Sequence, residues 1–151
     1  MAVLHADAII RNPQHKYIAL TKTNTDILIP KIMCYVKTYT DSNHNPIIIG
    51  KSVTTQQAAD ALLYNINPLD FLSVEPLLER IDFDRIKLPN VIIIGAETGN
   101  SKGKVIPRIE WVRDIVKCAD KQECAVFMKK SLRAIMGDEF RRDRLPWAIE
   151  R

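Results

Sequence analysis

The chain has 151 residues, 46% hydrophobic and 26% charged, with a formal net charge of +4. Those figures suit one globular domain with its own core, and the positive charge is mild. No apolar run approaches the roughly 18 residues of a membrane span, and the opening MAVLHADAIIRN lacks the basic flank and long apolar stretch of a signal peptide, so a cytoplasmic protein with no membrane partner is expected.

In chain order, VLHADAIIRN (3–12) predicts a helix and KYIALT (16–21) a first buried strand. TDILIPKIMCYVKTY (25–39) has a helical pattern that Pro30 breaks or starts late. The polar loop YTDSNHNP (39–46) leads to a second strand, PIIIGKS (46–52). TTQQAADALLYNI (54–66) reads as a helix with a Thr N-cap and an apolar stripe through Ala58, Leu62 and Leu63. DFLSVE (70–75) is the third strand, PLLERIDF (76–83) a short turn or helix, and NVIIIGAE (90–97) the fourth strand. PRIEWVRDIVKCADK (107–121) predicts a helix with Pro107 at its first position, followed by a fifth strand, CAVFMK (124–129). Beyond Lys130, SLRAIMGDEFRRDRLPWAI (131–149) predicts an amphipathic helix broken near Gly137, then a segment packing on the body. Nearly continuous apolar strands alternating with helices predict an α/β domain over residues 1–151, with about five parallel strands, outer helices and a C-terminal helical tail.

The positive charge is concentrated in that tail. Residues 129–151 hold seven Lys or Arg against four Asp or Glu, and residues 1–128 hold fifteen against fourteen. Such a tail either contacts nucleic acid or forms a solvated helix face. Cys34, Cys118 and Cys124 form no CxxC pair and lie far in sequence from His5, His15 and His44. They read as reduced thiols, with no metal site.

The loop in NVIIIGAETGNSKGKVIPRIEW (90–111) matches neither phosphate-binding motif. A P-loop would need glycine at Thr98 and a hydroxyl residue at Val105. The dinucleotide fingerprint also fails, because Gly95, Gly99 and Gly103 are four apart. The glycines are expected to serve a turn, and the loop lysines to face solvent. Position carries more information. Thr21, Lys22, Ser52, Glu75, Glu97 and Lys129, with Lys51 beside them, lie at or near the C-terminal ends of the predicted strands. Ligands bind at that edge of parallel sheets. These residues form either a ligand mouth or a set of solvated ends and structural ion pairs.

The ordered blocks NPQHKYIALTK, NPIIIGKSVTTQQAAD, FLSVEPLLERIDF, VIIIGAETG and EWVRDIVKCADKQECAVFMKK resemble the downstream part of an uncharacterised phage and bacterial family with an N-terminal three-cysteine motif. That family is similar to radical S-adenosylmethionine enzymes, and the resemblance spans roughly residues 8–147. It implies an open, partial (β/α) barrel, since five strands do not close the usual eight. Lys22, Ser52, Glu75, Pro76, Gly95, Glu97, Gly99 and Lys129 match the family pattern. Ala96 and Thr98 depart from it, as do Lys130, Ser131 and Leu132 after the last strand. The cysteine triad is missing, so S-adenosylmethionine and a [4Fe–4S] cluster are expected only if an upstream cysteine segment is supplied elsewhere.

The resemblance therefore implies a barrel fragment with a ligand mouth. Thr21, Lys22 and Lys129 would meet an anion, and Glu75 and Glu97 would bond amino or hydroxyl groups. Glu75 and Glu97 are expected to share that mouth, with Lys22 and Lys129 in reach. An upstream chain completing the barrel, or a homo-oligomer, would cover the sheet edges. The alternative is a non-catalytic module that contacts nucleic acid or a protein through its tail. A hydrolase or transferase is disfavoured, because no histidine lies at a strand end to serve as base.

Overall fold

A computed structural model describes residues 2–12, 14–22, 34, 47–65, 68–99 and 102–147. Five parallel strands form one open sheet in the order β1-β2-β3-β4-β5. They are β1 (Tyr17–Thr21), β2 (Ile47–Ser52), β3 (Phe71–Val74), β4 (Val91–Ile94) and β5 (Ala125–Met128). The predicted strands are all present, each trimmed by a residue or more at its ends. An order that never reverses keeps the right-handed crossovers on one face of the sheet, as in a (β/α) barrel. A doubly wound sheet would reverse and cover both faces.

Strand alternation separates the two faces. The outer face carries Val53, Leu72, Val74, Ile92, Ile94, Val126 and Met128, which pack with Val112, Ile115, Cys118 and Ala119 of a long helix. Helix α1 (Ala2–Arg11) contributes Ile9, which packs on Ile47 and Ile49 beside Tyr17 and Ala19. The inner face carries Ile48, Phe71 and Val91, with Ile93, Ala125, Leu145 and Trp147 against them.

Helix α2 (Gln56–Asp60) is shorter than predicted, and its cap is Thr55, whose hydroxyl accepts from the Ala58 amide at 3.3 Å. The chain then tightens into a 3-10 turn, Ala61–Tyr64. Tightening from 3.6 to 3 residues per turn shifts the phase of the apolar stripe. Leu63 is therefore left 47% exposed, while Ala59, one turn earlier in α2, is fully buried. Helix α3 (Ile109–Lys121) starts two residues after Pro107, because Arg108 is extended (φ −74°, ψ 144°) and acts as the N-cap. Pro107 itself is buried. The predicted helix at 25–39 falls outside the described residues apart from Cys34, which is helical.

The β3–β4 crossover contains no helix. Leu77, Ile81, Phe83, Ile86 and Leu88 fill the outer layer instead. Two amides secure it. Gln56 accepts from the Asp82 amide at 2.7 Å and donates to its carbonyl at 3.2 Å. Gln122 accepts from the Leu88 amide at 2.9 Å and donates to the Ile86 carbonyl at 3.1 Å. The Glu75–Pro76 peptide bond is cis.

After β5 come a 3-10 turn (Lys130–Leu132), α4 (Arg133–Met136) and a second 3-10 turn from Gly137, whose φ of 53° breaks the helix where the sequence suggests. The chain then runs back along the outer edge of β5. The Met128 amide donates to the Arg141 carbonyl at 2.9 Å, and the Asp143 amide to the Val126 carbonyl at 2.8 Å. An edge strand is thus covered by the tail, as edge exposure demands.

Asp143 is the clasp. Its carboxylate accepts from the Val126 amide at 2.8 Å and from Arg141 at 2.6 Å, and Arg141 also bonds Asp120 at 2.6 Å. The Arg141 hydrogen bond holds the Asp143 carboxyl below its ordinary value of 3.8. A depressed carboxylate stabilises the fold above its unfolded pKa and loses that contribution as pH falls through the folded value. Asp143→Ala is expected to cost about 1.5–3 kcal/mol near neutral pH, the range for hydrogen bonds to charged groups. Urea melts near pH 7 and near pH 3 check this: the gap between wild type and variant must shrink at the acid end.

Candidate functional site

Register places the predicted site residues on faces. Thr21 pairs with Lys51, Ser52 with Ser73, and Val74 with Ile94, which pairs with Met128. Backbone bonds extend the ladder: the Gly95 amide donates to the Val74 carbonyl at 3.1 Å and the Lys129 amide to the Ile94 carbonyl at 2.8 Å. One step past these pairs, Lys22 stands beside Ser52, and Glu75, Gly95 and Lys129 form a row. Alternation puts Lys22, Ser52, Ser73, Glu75, Gly95 and Lys129 all on the inner face. Thr21 and Lys51 belong to the opposite, helix-side rows, and Lys51 is 9% exposed there.

At the C-terminal rim of the inner face, Lys129 Nζ lies 3.3 Å from Glu75 Oε2. The Glu75 side chain crosses the space a Cβ would occupy on Gly95, within 2.9 Å of it. This close approach explains the glycine: only a residue without a side chain lets the carboxylate lie flat across β4. The Glu75 and Lys129 side chains are 29% and 47% exposed, so the pair is open to solvent. Lys22 is exposed and forms no ion pair with either glutamate among the described residues.

Glu97 has a different setting. One carboxylate oxygen accepts from the Val105 amide at 3.1 Å, closing its own loop. It lines a cleft of about 400 Å³ with Thr98, Lys104, Ile106, Ser131 and Ile135. The floor of that cleft is fixed by Ser131, whose hydroxyl accepts from the Ala96 amide at 3.1 Å. Lys102 and Lys104 are exposed, and the positive φ of Gly99 (101°) and Gly103 (80°) lets the loop turn. Asn100 and Ser101 lie outside the described residues.

Two residues were missed in the sequence. Ser73 was hidden inside an apolar strand, although its i, i+2 spacing to Glu75 puts both on one face. Ser131 stands where the resemblance pattern is broken. A larger cavity of about 510 Å³ lies at the opposite end of the sheet, lined by Leu62, Leu69, Leu72, Ile86, Leu88 and Asn90. In parallel α/β folds that end serves stability, and chemistry gathers at the C-terminal ends of the strands.

The thiols do not suit an iron–sulfur cluster. Cys118 and Cys124 belong to the outer core, and burial raises both pKa values, that of Cys124 to about 11. A cluster needs accessible thiolates. Cys34 is exposed, and no group of three metal-ligating side chains occurs among the described residues. The tail offers less free positive charge than its composition suggests. Arg141 is held by Asp143 and Asp120, Arg133 lies 4.9 Å from the centre of the Phe140 ring, and Arg142 lies 4.2 Å from that of Phe127. No helix among the described residues is long and apolar enough to cross a membrane.

A model of the family described as a protein of unknown function (DUF5131) matches residues 3–139. No curated protein and no solved structure matches the chain.

Proposed function

The chain belongs to the DUF5131 family, and from that premise we propose that it is the downstream arc of a radical-SAM-like barrel, binding a small polar ligand at the C-terminal rim of its inner face. The observation that carries this reading is the Glu75–Lys129 pair, 3.3 Å apart and laid across Gly95. A solvent-open pair contributes little to stability, about 0–1 kcal/mol. Yet this one is seated on a glycine that removes the side chain in its way. An arrangement costing a specific residue and returning little stability fits a binding site better than a structural clamp.

Glu75 accepts hydrogen bonds from amino or hydroxyl groups of the ligand, and Lys129, 3.3 Å from it, meets anionic ligand atoms. Glu97, tied to its loop, contributes from the neighbouring cleft. Lys22 supports the anion from the far side of the rim. S-adenosylmethionine enters this reading only with a cysteine segment contributed from elsewhere, since the cysteines present do not fit a cluster.

Thermal melts test the reading, with S-adenosylmethionine, adenine nucleotides and free amino acids as probes. Glu75→Gln and Lys129→Met are each expected to leave the ligand-free stability within about 1 kcal/mol of wild type. Both are expected to abolish the ligand-induced rise in melting temperature. Gly95→Ala, which pushes the Glu75 carboxylate aside without touching its charge, is expected to do the same. Variants that melt several degrees early and keep their ligand response would make the pair structural.

A further inference from the structure

Below the Glu75–Lys129 pair the inner face carries two hydroxyls with no partner among the described residues. Ser73 is 5% exposed and Ser52 8%. They are direct neighbours in register. Among the described residues neither hydroxyl has a hydrogen-bond partner, although Ser52 and Ser73 are more than nine-tenths buried. Buried polar side chains are nearly always paired, and each unsatisfied one is costly. Flanking apolar residues such as Phe71 and Ile93 on the same face offer no acceptor. Lys22 follows Thr21, whose register partner Lys51 precedes Ser52, so the end of the first strand brings it to the head of this row, with no ion pair among the described residues.

We infer that Ser52, Ser73 and Lys22 form an oxyanion subsite within the inner-face site, taking a phosphate or carboxylate group of the ligand. This rests on the rim reading above and adds the chemical class of one end of the ligand. Three observations point to an oxyanion. Two adjacent hydroxyls present two donors about one strand spacing apart, roughly 4.8 Å between backbones. The row ends in a cation. The nearest carboxylate, on Glu75, already has Lys129 as its counter-charge. A neutral apolar ligand would leave both hydroxyls unsatisfied. A cationic one would meet Lys22.

The test uses the full chain, titrated with inorganic phosphate and, separately, with acetate, and followed by amide chemical shifts of residues 51–53 and 72–74. Saturable shifts are expected with at least one of the two anions, and the stronger arm identifies the group. Ser52→Ala and Ser73→Ala are each expected to weaken binding about tenfold, the scale of one lost hydrogen bond to a charged group. Neither should lower the melting temperature, because no described residue bonds to either hydroxyl. Lys22→Met, at an exposed position, is expected to weaken binding and flatten its salt dependence. Binding unchanged in the Ser52→Ala/Ser73→Ala double variant would overturn the subsite, as would absence of any shift in wild type. Either result leaves the Glu75–Lys129 reading standing or falling on its own probes, since Glu75→Gln is scored against ligands bearing amino and hydroxyl groups.

Discussion

Gly50→Ala is expected to destabilise the protein by about 2–3 kcal/mol, the upper part of the usual range for overpacking a core. Gly50 pairs with Phe71 across β2 and β3, and the Phe71 ring lies over the glycine where a methyl would stand. The ring has nowhere to go. It is 3% exposed, with Trp147 5.5 Å away, and it clusters with Ile48 and Val91. Displacing it lifts Trp147 and the tail from the inner face. Tryptophan fluorescence should therefore shift to the red in the folded variant. Adding Phe71→Leu should recover part of the loss, a coupling that a double-mutant cycle reads directly. An alanine variant as stable as wild type would mean that the ring does not rest on Gly50.

Phe83→Ala carries the other large effect, about 3–5 kcal/mol. Phe83 is 2% exposed and sits in the crossover that lacks a helix. A helical crossover keeps its own hydrogen-bond ladder when a side chain is lost. This one depends on buried apolar anchors and on the amides of Gln56 and Gln122. Typical domains are stable by only about 5–15 kcal/mol, so the variant should be marginal. Urea unfolding should show a lower midpoint with an unchanged slope. A loss below about 1 kcal/mol would indicate a crossover held by its backbone alone.

The strands were legible because each is a short branched run bounded by Pro, Asn, Asp or Gly, and buried parallel strands tolerate little else. Their order was legible from the alternation itself. Leu63 was misplaced, because a stripe drawn at 3.6 residues per turn fails once the chain tightens to a 3-10 turn. Pro107 suggested an earlier helix start than Arg108 permits. At the site, strand-end position picked out Glu75 and Lys129 and put them in reach of each other, but did not show the dependence of their contact on Gly95. A contact between side chains that flank a third strand depends on register, which the sequence carries only through the alternation of faces. The same alternation moves Thr21 and Lys51 to the helix side and brings in Ser73, which looks apolar in its context of Phe71, Leu72 and Val74.

The measurement closest to the central claim is an amide chemical-shift map of the labelled full chain, recorded while the small polar probes that raise its melting temperature are titrated in. Shifts are expected to gather at Ser52, Ser73, Glu75, Gly95 and Lys129, on the inner face at the C-terminal ends of the strands, and to be lost in Glu75→Gln. Shifts gathered instead around Leu62, Ile86 and Asn90 at the opposite end, or along α3 on the helix-covered face, would contradict it.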